Sequence, residues 1–106
     1  MDVSKEDWKL YRKKLPKWQE AYMEKLIASY VQYLQSSESA STKFWELEKK
    51  IKNDKKSPGV IIEIKKQDLP FDLIRLIREE VITMSDLNEF SDELVETIKF
   101  LMDRFC

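Results

Sequence analysis

The sequence predicts an all-α protein, and three observations carry that prediction. A single glycine among 106 residues is far below the usual share of about 7%, and hairpin-rich sheets need glycine for their positive-φ turns. Apolar residues recur three and four positions apart in long rows such as Trp18, Tyr22, Leu26, Tyr30 and Leu34, the period of a helix face. Serine and threonine stand ahead of these rows at Ser4, Ser41/Thr42 and Ser91, where a hydroxyl can accept the free N–H groups of a first turn. Hydrophobic residues make up 42% of the chain, with three Trp, four Tyr and five Phe, so material for one core is present. The expected architecture is a compact bundle of five or six short helices, one domain over residues 1–106.

The first helix is expected to start at Ser4, with Glu6 and Asp7 in the turn favoured by the helix dipole. Trp8, Tyr11 and Leu15 share one face, and Pro16 predicts a break after Leu15. A second helix, Lys17 to Leu34, carries the row named above with Met23, Ile27 and Val31 beside it. That stripe is wide enough to touch helices on two sides. Ser36-Ser37-Glu38-Ser39 is a polar connection, and a third helix runs from a Ser41 or Thr42 cap through Lys52, with Phe44, Leu47 and Ile51 on one face.

Ser57-Pro58-Gly59 reads as a cap, a first helical residue and a flexible second. The following Val60-Ile61-Ile62-Glu63-Ile64 is ambiguous. Its β-branched residues favour a strand, yet no second strand is visible to pair with it, and a short helix is expected. Asp68-Leu69-Pro70 opens another helix with Phe71, Ile74 and Ile77 inward. Thr83 caps a single turn carrying Leu87 and Phe90, and Ser91 caps a last helix with Leu94, Ile98, Leu101 and Phe105 inward.

The chemistry of the chain is defined mainly by what it lacks. There is no histidine, which removes the commonest general base near neutral pH and the Ser-His and Cys-His arrangements with it. Cys106 is the only cysteine, so no Cys/His zinc set and no intramolecular disulfide can form. One glycine cannot build a phosphate-cradling loop. Asp86, Glu89, Asp92, Glu93 and Glu96 lie close together, but without the alternating ligands and central glycine of a calcium-binding loop they are expected to be helix-start acids on a solvated face. No catalytic, metal or cofactor residues are therefore expected. The opening Asp2-Val3-Ser4-Lys5 is not a signal peptide, and no apolar run approaches the ~20 residues that span a bilayer, so a cytoplasmic protein is expected.

Net charge is −1, with the signs divided. Residues 1–56 hold thirteen Lys/Arg against nine Asp/Glu, and residues 57–106 hold six against eleven. The divided charge predicts either two partner-facing surfaces or two halves that attract each other within the fold. Lys49, Lys50, Lys52, Lys55, Lys56, Lys65 and Lys66 form a candidate nucleic-acid patch, because lysines along a phosphate backbone release its counterions. A sequence pI near 5.6 and few arginines weigh against it. Trp8, Tyr11, Tyr33 and Trp45 lie off the main apolar rows or on short helices, and are the candidate protein interface.

Three stretches resemble a known group of proteins: Leu15-Pro16-Lys17-Trp18-Gln19-Glu20-Ala21-Tyr22-Met23, Lys43-Phe44-Trp45-Glu46-Leu47-Glu48 through Ser57-Pro58-Gly59-Val60, and Val81-Ile82-Thr83-Met84-Ser85-Asp86-Leu87 with Phe90-Ser91-Asp92-Glu93-Leu94. Together they resemble a family of small, uncharacterised, all-helical bacterial proteins, some of which carry a multidrug-transporter label. That label is not supported here, since the sequence has no spanning segment, and the family implies no catalytic residues. The expected function is a non-enzymatic interaction or regulatory module that binds another protein or itself. The alternative is a nucleic-acid-associated accessory protein using the lysine patch.

Overall fold

Ser4 opens the first helix as the sequence predicts: its Oγ accepts the Asp7 N–H at 3.1 Å. The computed structural model of the protein describes residues 2–105, and its first helix, α1, runs without interruption over Lys5–Leu34. Thirty residues at 1.5 Å each give about 45 Å, most of the molecule's 52 Å long axis. Next come α2 (Ala40–Asp54), a 3₁₀ turn (Lys66–Asp68), α3 (Leu69–Arg78), a second 3₁₀ turn (Met84–Leu87) and α4 (Asp92–Phe105). The described residues contain no strand.

The all-α class holds, but the described residues form four α-helices rather than five or six. The difference lies at Pro16, which sits inside α1. A proline there lacks an N–H to reach the carbonyl of Arg12. Both residues are exposed, so water can take that carbonyl and the break expected after Leu15 does not occur. The ambiguous segment is a second correction. Residues 61–65 are not helical, and Lys65 is extended, with Ile62 and Ile64 half-buried and Ile61, Glu63 and Lys65 exposed. This is the two-residue alternation of a β-branched strand, laid on the core without a pairing strand.

The shape is uneven, 52 × 28 × 22 Å. The buried apolar residues are Val3, Tyr11 and Leu15 from the chain's start, then Leu69, Leu73, Ile74, Leu76, Ile82, Leu87, Phe90, Leu94 and Ile98. Between residues 16 and 68 only Ser57, Pro58 and Gly59 are buried. A head is thus formed by the first half of α1 and residues 57–105, while the second half of α1 and α2 extend from it as a two-helix arm. No residue of α2 is buried. On α3, the inward face is Leu69, Leu73, Ile74 and Leu76, with Ile77 half-buried; Phe71, expected inward, is 59% exposed.

Polar contacts lock the head. Asp7, 3% exposed, accepts the Ser91 N–H at 2.9 Å and the Ser91 hydroxyl at 2.6 Å. Ser91 Oγ in turn accepts the Leu94 N–H at 3.2 Å. One carboxylate therefore ties the first turn of α1 to the cap of α4, and its burial is offset by two donors. Lys14 and Glu89 pair at 2.9 Å, a contact between the basic and acidic halves of the sequence. The ion pair, aided by Lys13 and Lys17, holds the Glu89 carboxyl below the usual range.

The arm meets the head at the only glycine. Ser57, Pro58 and Gly59 are buried, and Gln19 Nε2 donates to the Pro58 carbonyl at 3.0 Å. A Cβ on Gly59 would lie 2.3 Å from Tyr22 Cδ2. Gly59 is therefore required for close approach of the turn to α1 and does not have a positive φ. Arg75 Nη2 reinforces the joint, donating to the Lys56 carbonyl at 3.2 Å.

Candidate functional site

The arm is a helical hairpin with an apolar face left open. Ser39 caps α2, its Oγ accepting the Thr42 N–H at 3.3 Å, which moves the start ahead of the expected Ser41 or Thr42. The two helices are joined by contacts along their facing edges: the Tyr30 hydroxyl donates to Asp54 Oδ2, and Lys50 Nζ lies 5.0 Å from the Tyr33 ring centre. Desolvation, together with the Asp54 carboxylate, pushes the Tyr30 phenol up to about 12.

On one side of this seam the apolar residues are uncovered. Ile27, Val31 and Leu34 on α1, and Phe44 and Ile51 on α2, are 38–64% exposed. One hollow is bordered by Met23, Leu26, Ile27 and Tyr30 together with Ile51, Lys55 and Val60. A second, directly along α2, is bordered by Phe44, Leu47, Glu48, Ile51, Lys52 and Lys55. Ile51 and Lys55 border both, so the two hollows adjoin, one between the helices near the joint and one along α2, and together make up the groove of the arm. Trp45, 61% exposed, packs edge-on against Phe44 with ring centres 5.0 Å apart. Scattered exposed apolar side chains are ordinary, but a contiguous set of this kind marks a contact surface.

Of the four aromatics predicted as an interface, Trp45 alone is fully on the surface. Tyr11 is a correction: it is 0% exposed, and its hydroxyl donates to Asp72 Oδ2 at 3.2 Å. It is core because Trp8 and Tyr11, with rings 6.1 Å apart, lie under the rest of the head. Trp8 is half-buried with Arg12 stacked on its ring at 5.3 Å, and Tyr33 is half-buried under Lys50. The structure thus does not assemble these four into one surface. Ile27, Val31, Leu34, Phe44 and Ile51 form the open face instead. Their spacing was visible in the sequence, but it reads the same whether a face is covered or bare.

The lysine patch divides in two. Lys49, Lys50, Lys52 and Lys56 line one hollow on α2 with Glu46 and Asn53, and Lys55 borders the apolar groove. Lys66 instead lies beside Asp2, Val3 and Gln67 at the head, next to Lys65 in the chain. The clustered carboxylates have separate duties: Asp86 closes a capping box with Thr83 at 2.7 Å, Glu89 pairs with Lys14, and Asp92 and Glu93 form the first turn of α4. Among the described residues, no group of three His, Cys, Asp or Glu is placed to hold a metal ion. No helix among them is long and apolar enough to cross a membrane. Cys106 lies outside the described residues.

A half-buried acid on the head, Asp72, has a raised proton affinity. Burial raises the Asp72 carboxyl to about 6, against the hydrogen bond from Tyr11, which lowers it. Asp72 packs against Tyr11 on the head and borders no hollow with the groove residues. No family model, curated protein or solved structure matches this chain.

Proposed function

We propose that the protein is a non-enzymatic interaction module of the bacterial cytosol, which docks a protein partner on the apolar face of its arm. The observation that carries the reading is the division of labour in the fold. The head buries a core and leaves Ile61, Phe71 and Phe100 exposed, whereas the arm, with no buried residue on α2, extends five large apolar side chains and Trp45 into solvent. Leaving such a face exposed costs solubility and contributes nothing to the head's stability, so its use is contact with a partner. A helix pair offering an aromatic and aliphatic groove fits a helical segment laid along it, with Phe44 and Trp45 as anchors.

The bacterial setting rests on the family resemblance. The test is capture from a bacterial lysate with tagged protein, with and without nuclease, beside a variant carrying Ile27→Asp and Phe44→Ser. Proteins retained by the parent after nuclease and lost with the variant support the reading. Equal retention by both sinks it, because both substitutions fall at exposed positions and leave the head intact.

A second reading, a nucleic-acid-associated accessory protein, is favoured by the hollow that gathers Lys49, Lys50 and Lys52 of α2 with Lys56 just beyond its end. It requires binding that weakens steeply as salt is raised. Binding that is insensitive to salt removes it.

A further inference from the structure

We infer that the arm's occupant is a second copy of this chain, and that two arms close face to face as a four-helix bundle. The inference rests on the docking reading above and names its partner. Three features of the face argue for it.

The first is freedom from obstruction. Nine residues, about two and a half helical turns, separate Trp18 from Ile27, so the two side chains leave α1 on opposite sides. Trp18 packs against Phe90 in the head, with ring centres 6.3 Å apart. The head therefore lies behind the arm relative to the open face, and two arms can meet without their heads colliding.

The second is charge. An isologous contact lays a surface on itself, so a rim of one sign would repel its own copy. Residues 20–56 carry seven lysines and six carboxylates. Both signs also border the face: on α2, Glu48 stands with two lysines against it, so the pairing that matters is the one across the helices. Glu24 is three residues before Ile27 and on the same stripe of α1, while Lys52 and Lys55 border the groove on α2. A two-fold axis along the arm sets α1 of one copy over α2 of the other. The Glu24 edge then meets the Lys55 edge twice, once in each half of the contact.

The third is area. With Phe and Trp side chains of 150–250 Å², the open face amounts to roughly 500–600 Å², at the top of the range for patches on monomers. The aliphatic stems of Lys52 and Lys55 extend it toward the roughly 800 Å² per partner of a standard interface. Two helices form one layer, and a layer with an apolar face is completed by a second one.

Sedimentation equilibrium of the full chain tests this, with helicity followed by circular dichroism. The parent is expected to run as a dimer, and Ile27→Asp as a monomer of unchanged helicity. Phe44→Ser, on the other helix, should do the same. Glu24→Lys and Lys55→Glu should each weaken the dimer about tenfold, with a one-to-one mixture restoring it, because mixing returns opposite charges to both edges. A parent that stays monomeric into the millimolar range overturns the inference. So does a dimer indifferent to Ile27→Asp, or a mixture that fails to recover. A monomer whose arm still retains a lysate protein would remove the second copy and leave the docking reading standing. Loss of that retention as well would remove both.

Discussion

The head and the arm are built from similar helical patterns, yet one pattern is covered and the other is not. Leu94, Ile98 and Leu101 on α4 cover the same two helical turns, in steps of three and four, as Phe44, Leu47 and Ile51 on α2. Leu94 and Ile98 are 0% exposed, whereas Phe44 is 64% and Ile51 38% exposed. The periods are alike because both come from the helix itself. What differs is whether the chain returns to cover the face. After α4 and α3 have packed on the start of α1, no described segment remains to lie over the arm. The buried core therefore belongs to the head, and the larger share of exposed apolar surface to the arm.

The largest expected effect sets the two regions directly against each other. Leu94→Ala removes a fully buried side chain and should cost about 2–5 kcal/mol in urea unfolding. Leu47→Ala on α2 removes a half-exposed one and should cost about 1 kcal/mol or less. Equal costs would mean that arm and head share one cooperative core. Hydrogen exchange should give the same order, with α2 amides opening before those of α4.

The joint between the regions comes next. Gly59→Ala places a methyl within 2.3 Å of the Tyr22 ring, and the ring and turn must separate to admit it. The expected cost is about 1–3 kcal/mol, with the arm's amides more affected than the head's. A variant as stable as the parent would show that the turn is loosely seated.

A smaller effect concerns the Tyr11–Asp72 contact and has a pH sign. The Asp72 carboxyl rises from 3.8 unfolded to about 6 in the fold, mainly through burial. The folded state therefore binds the proton more tightly. The contribution is fully present below the unfolded value and is lost as pH rises through about 6. Discounted for partial exposure, it is on the order of 1 kcal/mol. Asp72→Asn, which keeps an acceptor for the Tyr11 hydroxyl, should abolish that decline between pH 4 and 7 and stabilise the protein at neutral pH. An unchanged profile would place the titration elsewhere.

Much of the head was legible in the sequence. Ser4 and Ser91 cap as their positions imply, Thr83 stands at the start of its turn, and Pro70 opens α3; the box that Asp86 closes with Thr83 is added by the structure. These signals are local, and local hydrogen bonds decide them. Pro16 misled because a proline on a solvent-facing side of a long helix is tolerated, and exposure is a tertiary property. Tyr11 errs in the opposite direction: a short first helix would leave it at the surface, whereas the continuous α1 carries it under the head. The open face of the arm was the least legible, since Ile27, Val31 and Phe44 satisfy the rule for a core face and nothing local records the missing cover.

The smallest expected effect sharpens the comparison from the head's side, at the end of α3. Glu80 has φ 61°, in the left-handed region. Its N–H bonds the Ile77 carbonyl at 3.0 Å, and the Val81 N–H bonds the Leu76 carbonyl at 2.9 Å. This pair of bonds is a Schellman cap, in which the left-handed position usually belongs to glycine. A side chain there costs roughly 1–2 kcal/mol, partly offset because glycine leaves the unfolded chain more freedom. Glu80→Gly should therefore stabilise the head by about 0.5–1 kcal/mol, a rise of a few degrees in Tm by calorimetry. Because Glu80 is exposed and far in sequence from the arm, the gain should leave the dimer equilibrium unchanged. A gain in Tm accompanied by tighter self-association would instead mean that the arm is not folded independently of the head.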